Sequence, residues 1–166
     1  MSKASGISAG ETSATHAATT SGGVVVHGDT LVVDTRDRIQ LEDITDRIRQ
    51  FVRGSGAREG ILSVASLHTT CAVFINETQT ALHADIKACL EGLIARDGAW
   101  RHNDPAHSDC DRMNADSHLR AMLLGHSLAL QVSGGEVILG QWQRVLMAEL
   151  DGPRARSIRL QVIGIA

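Results

Sequence analysis

Aromatic side chains are almost absent from this chain. It has no tyrosine, two phenylalanines (Phe51, Phe74) and two tryptophans (Trp100, Trp142) in 166 residues. Stacking recognition of successive bases has too few rings to work with. A cationic surface is missing as well: 16 Lys and Arg stand against 19 Asp and Glu, for a net charge of −3, and the arginines are scattered. A nucleic-acid partner is therefore excluded. No apolar run approaches the length of a membrane span, which argues against a membrane partner too. Cysteine is scarce, three residues with no CxxC spacing, so neither a disulfide framework nor a zinc ribbon is expected. Cys71 and Cys89 fall inside apolar patterns, where a free thiol acts as a small hydrophobe. A reducing, cytoplasmic setting is the expectation.

The rest of the composition is that of an ordinary globular protein, 43% hydrophobic and 21% charged, long enough to bury a core without staples. Residues 1–23, "MSKASGISAGETSATHAATTSGG", carry a single aliphatic residue, Ile7, and are read as a disordered extension. Residues 24–166 form the expected domain. "GVVVHGDTLVVDT" reads as a strand or hairpin. In "IQLEDITDRIRQFVRGSG", Leu41, Ile44, Ile48 and Phe51 recur at helical spacing before a Gly-Ser-Gly stop. "GILSVASLHTTCAVFINE" is a long strand or two, interrupted by the polar "HTT". Leu82, Ile86, Cys89, Leu90 and Leu93 mark a second helix, with Asn76 and Gln79 as its capping box. A short helix is expected at about 115–124, capped by Asn114. "SLALQVSGGEVILG" reads as a hairpin turning at Ser133–Gly134–Gly135, and "WQRVLMAEL" and "SIRLQVIGIA" as strands. Helices interspersed without a βαβ rhythm predict an α+β fold, one compact domain with a mixed sheet and two to three helices.

One stretch is chemically dense. "WRHNDPAHSDCDRMNADSHL" (100–119) holds three histidines, four aspartates and a cysteine. A loop of that length without secondary structure of its own is more often functional than idle. His118 falls in the first turn of the short helix, where the dipole favours the neutral, metal-binding imidazole. His68 ends an apolar strand and is followed by Thr69 and Thr70, hydroxyls that need partners if buried. His68, His102 and His118 could converge on one ion and leave a position open for water or substrate. His107 and Cys110 are rival ligands, and Asp109, Asp111 and Asp116 suit Mg²⁺ instead. Gln141, Trp142 and Gln143 are read on a strand, lining a pocket. Arg154 is the natural phosphate clamp. Glu77, which the capping box leaves unexplained, is the candidate for proton handling.

Taken in order, "HTTCAVFINE", Asp85, "WRHN", "NADSHLRAMLLG", "LGQWQ" and "ELDGPRAR" resemble the YjbQ family from about residue 24 to the C-terminus. The resemblance implies a homotrimer with pockets near subunit boundaries and a metal site on His68, His102 and His118, with Zn²⁺ the expected ion and Mg²⁺ the alternative. It also implies the activity of a secondary thiamine-phosphate synthase, which joins a pyrimidine pyrophosphate to a thiazole phosphate with loss of pyrophosphate. Under that reading Glu77 and Arg154 are catalytic. Thr69, Thr70, Asn76, Asn114, Gln141, Trp142 and Gln143 contact the small-molecule substrate. Two alternatives stand beside it: a metal-dependent hydrolase of a small phosphorylated or heterocyclic compound, and a trimeric metal- or ligand-binding protein without catalysis. Gln141 replaces the family's usual Thr, the hairpin lacks its proline, and "DPAHSDCDRM" is this chain's own.

Overall fold

The computed structural model describes residues 22–166, so the extension expected over 1–23 lies outside the described residues apart from Gly22 and Gly23. Eight strands and three α-helices follow, the α+β class that the pattern predicts. The strands divide between two sheets, and every pairing among the described residues is antiparallel.

The larger sheet is built from β1 (Val24–Asp34), β8 (Ala155–Ile165), β3 (Glu59–Ser66), β5 (Ser127–Ser133) and β6 (Glu136–Val137), in that spatial order. Its strands alternate as a half-buried sheet must. Leu62 and Val64, Leu130 and Val132, and Ile158, Leu160 and Val162 point inward and are buried. The other face is open. β1 runs unbroken through His27–Gly28–Asp29, so "HGD" is no turn. The turn that does form lies at Gly134 and Gly135, with φ of 60° and 82°. Two successive positive values define the tight hairpin in which glycine carries no Cβ penalty.

The smaller sheet is β2 (Gln40–Asp43), β7 (Arg144–Glu149) and β4 (Cys71–Asn76). It is covered on both faces, which is why β7 reads as a continuous apolar run. Cys71, Val73, Val145 and Met147 meet the inner face of the larger sheet, with Ile48, Phe51 and Val52 of helix α1 (Thr45–Ser55) filling the same core. Ala72, Ala148, Leu41 and Leu150 face the other way, onto Leu90 of α2 (Thr80–Leu93) and Ala121 of α3 (Ala115–Leu124).

Three local expectations change. Leu41 belongs to β2, because residues 40–43 pair with Glu149–Leu146 of β7, and the helix begins only at Thr45, whose N–H donates to Asp43 Oδ1 at 2.9 Å. Gln79 itself caps α2, accepting from the Leu82 N–H at 3.0 Å, while Asn76 accepts from its neighbour Glu77. Gln141, Trp142 and Gln143 lie in the turn before β7 rather than on a strand.

Ile48 is fully buried where α1 meets both sheets. Ile48→Ala is expected to cost about 2–5 kcal/mol through lost transfer energy and the cavity left behind, read as a lowered denaturation midpoint.

Candidate functional site

The residues singled out from the sequence fall into three groups. Their positions follow from the small sheet. β4 and β7 pair from Cys71↔Glu149 at one end to Asn76↔Arg144 at the other. Five residue steps separate those ends, roughly 17 Å at strand rise. Glu77, Gln141 and Trp142 gather at the 76/144 end with Thr78 and Arg144 around a small cavity. Trp142 is 66% exposed there, and Arg144 is held by Asp43 at 2.7 Å. Gln143 turns back to accept the Gly140 N–H.

The opposite end is organised by a buried ion pair. Glu149 and Arg156 are both essentially inaccessible. Arg156 donates to Glu149 through Nε at 2.6 Å and again through Nη2, a two-point grip suited to a planar carboxylate. The remaining acceptor capacity of Glu149 is taken by Thr35 Oγ1 at 3.0 Å and the Asp151 N–H at 2.8 Å. Thr70 accepts from Arg156 through Oγ1 at 3.1 Å, so this buried hydroxyl is structural, whereas Thr69 is exposed. Burial works against the charge on Arg156, but Glu149 outweighs it and raises the guanidinium's pKa.

Asp151 continues the network. It accepts from Asn114 Nδ2 at 2.8 Å and from Arg154 Nη2 at 2.8 Å, with Arg112 at 3.5 Å. Asn114 thus sits at the N-cap position of α3 without capping it; its side chain is buried and spent on Asp151. Arg154 is likewise committed to a carboxylate. Asp116 is fully buried and paired with Arg38 at 3.0 Å, which leaves it no role as an exposed Mg²⁺ ligand. Asp109 and Asp111 are exposed. His107 pairs with Asp104 within its own loop at 2.9 Å, and Cys110 Sγ lies 3.9 Å from Asn114 Oδ1.

The three histidines do not meet. His102, on the 3₁₀ turn Arg101–Asn103, and His118, in α3, face each other edge-on with ring centroids 5.1 Å apart. They line a cavity of about 340 Å³ with Trp100, Arg101, Ala115 and Leu119. His68 stands in the turn between β3 and β4, where its Nε2 accepts the Ser157 N–H at 2.8 Å. The Nε2 lone pair of His68 is thus engaged by a backbone amide. Among the described residues no group of three His, Cys, Asp or Glu side chains is arranged to hold a metal. As a three-histidine seat the expected set does not fit within one chain.

His118 and His68 are both held below the ordinary imidazole range. For His118 the cause is burial first and then the adjacent His102 ring; for His68 it is burial and then Arg156. Glu149, Arg156 and Trp100 were not singled out as site residues from the pattern. Arg156 had a signal: it occupies an inward position in the alternation with Ile158, Leu160 and Val162, where an apolar residue is expected.

This architecture, two antiparallel sheets with a histidine pair beside a buried ion-pair network, defines a small α+β domain with a prepared pocket. The relatives share the fold. The model of the family described as UPF0047 protein YjbQ-like matches residues 29–165, and the chain belongs to that family. A UPF0047 protein of Methanothermobacter thermautotrophicus is 45% identical over 84% of this chain and 93% of its own length. One from Mycobacterium tuberculosis is 36% identical over 81% and 96%. A crystal structure from Sulfolobus solfataricus, a YbjQ-like protein of unknown function, superimposes with a TM-score of 0.80 at 34% identity, covering 86% of this chain and 99% of that one. Among the described residues no helix is long and apolar enough to cross a membrane.

Glu149→Leu strands a buried guanidinium and is expected to cost about 3–5 kcal/mol. The double variant Glu149→Leu, Arg156→Met should recover much of that loss in denaturant unfolding. Stability is also expected to depend on pH through His68 and His118. Their folded pKa values lie below the unfolded value of 6.5, so the unfolded chain takes up protons first. Their contribution is complete above about pH 6.5 and is lost as the pH falls through their folded values. Thermal melts of the His68→Asn, His118→Asn double variant should show a flatter acid limb than the parent.

Proposed function

We propose that this protein is an enzyme acting on a small phosphorylated heterocyclic compound, with the His102–His118 pair as its reactive centre. One observation carries the reading. Two imidazoles face each other at 5.1 Å in a pocket walled by Trp100 and Leu119, and neither ring is hydrogen-bonded to another described residue. Paired histidines with free nitrogens divide a proton between them, one accepting while the other donates. The depressed pKa of His118 suits it to the accepting role near neutrality. Trp100 offers a face for a flat ring, and Arg101 at the rim offers a guanidinium for a phosphate.

Two reactions fit that ligand. The condensation that the resemblance implies forms a carbon–nitrogen bond and releases pyrophosphate, whose charge needs several free cations. Hydrolysis needs a base to take a proton from water. The engagement of Arg154 by Asp151 at 2.8 Å favours hydrolysis, because a committed guanidinium is a poor clamp for a departing diphosphate. Zinc takes four donors and the pair supplies two, so a resident divalent ion is a separate question for metal analysis. The homotrimer is part of the same proposal and is read from the mass in solution.

The test is direct. The purified protein is incubated with phosphate monoesters of small heterocycles, and separately with the pyrimidine pyrophosphate and the thiazole phosphate. His118→Asn is expected to lower turnover by about 10²–10⁴-fold while the fold, followed by circular dichroism, is unchanged. Thiamine phosphate formed in the second mixture establishes the condensation. No turnover in either mixture, with the ligands still bound, turns the reading to a binding protein.

A further inference from the structure

β1 ends the larger sheet. Among the described residues it pairs only with β8, over all eleven of its positions. No other described strand pairs along its second edge, and an open eleven-residue edge is a template for another strand. The edge is also apolar: Val24, Val26 and Val32 are 79%, 61% and 53% exposed.

The backbone tells which groups that edge presents. In an antiparallel strand the N–H and C=O of one residue point to the same side, and successive residues alternate. The Val32 carbonyl accepts from Arg47 at 2.9 Å, and the Thr30 N–H donates to Asp29 Oδ1 at 2.7 Å. Neither group is used by β8. Val24, Val26, Gly28, Thr30 and Val32 therefore turn their backbone groups outward. His27 and Asp29 do the reverse: their side chains lie on the inner face of the sheet, between the inward Val25 and Leu31. The His27 ring stacks on Phe51 of α1 at 5.3 Å, and both residues line a groove with Arg47 and Gln50. Both residues remain exposed at these inward positions, and neither forms an ion pair with another described residue.

We propose that a second copy of this chain pairs antiparallel along the free edge of β1, with Gly28 on the two-fold axis. That register sets Gly28 against itself, Val26 against Thr30 and Val24 against Val32 as hydrogen-bonded pairs. The close, non-hydrogen-bonded pairs are then Val25 with Leu31 and His27 with Asp29, each occurring twice by symmetry. Imidazole meets carboxylate on the same face at both places. The Asp29 carboxylate turns from the Thr30 N–H to the facing imidazole, which frees that N–H for the ladder. Moving the axis one residue on, to Asp29, places two carboxylates about 4.5 Å apart at Cα level and is repulsive. Charge thus favours the Gly28 register over the Asp29 one, and in it the strand is complementary to itself. The two five-stranded sheets become one of ten strands, and the contact doubles the mass of whatever unit the rest of the surface builds.

The test uses the full chain in sedimentation velocity over a dilution series. The parent is expected to show a concentration-dependent twofold change in mass. His27→Asp opposes two acidic side chains and should raise the dissociation constant roughly tenfold. The exchanged variant His27→Asp, Asp29→His restores the pairing and should restore the mass. Hydrogen exchange on the parent provides a reading that needs no variant to fold. The Val26 and Gly28 amides should slow by roughly tenfold or more between the dilute and concentrated samples. Any of three results overturns the proposal: no twofold change, a twofold change that His27→Asp leaves unaltered, or edge amides protected only when a different protein is added.

Discussion

The end of this molecule proposed as its functional one hangs on one buried ion pair, Glu149 with Arg156. Glu149 closes β7 in the small sheet and Arg156 opens β8 in the large one, so the pair fastens the two sheets where they diverge. Removing two charges from water is expensive, and the cost is offset only when every remaining donor and acceptor is used. Thr35, Thr70 and the Asp151 amide take up much of that capacity here. The same residues fix the Asp151 turn, and Asp151 in turn holds Asn114 at the start of α3. The position of His118, one turn further along, is therefore a consequence of a carboxylate more than thirty residues away in sequence.

A second chain of alternating charge secures the other side of that helix. Glu91 on α2 meets Arg120 on α3, Arg120 lies 3.5 Å from Asp116, and Asp116 binds Arg38. Arg120 also donates to the Ile94 carbonyl at the end of α2. The alanines of the second core set how closely the helices approach the small sheet, and the ion pairs set their rotation. Rigidity of this kind is what the proposed paired-imidazole centre requires, since proton exchange between side chains is steep in distance.

Within one chain the described residues do not bring the expected metal triad together. His68, Thr69 and Thr70 read as one polar cluster in an apolar run. The chain spends them in three ways: one ring accepts a backbone N–H, one hydroxyl faces solvent, and one joins the ion pair. Gln141, Trp142 and Glu77 do gather, yet at the far end of β4 and β7. Nothing in a linear pattern distinguishes the two ends of an antiparallel ladder, because the register that separates them arises only on pairing.

Local signals were enough for the α+β class, the bounds of α3, the Gly134–Gly135 turn and the family resemblance. Each depends on neighbours within a few residues or on motifs read in order. Tertiary structure alone decided that residues 40–43 are a strand, that Asn114 serves Asp151 rather than its helix, and that His102 finds His118 without His68. Those outcomes turn on which buried polar group reaches which partner. That competition is settled by desolvation in the folded chain, where every donor left unpaired has a cost.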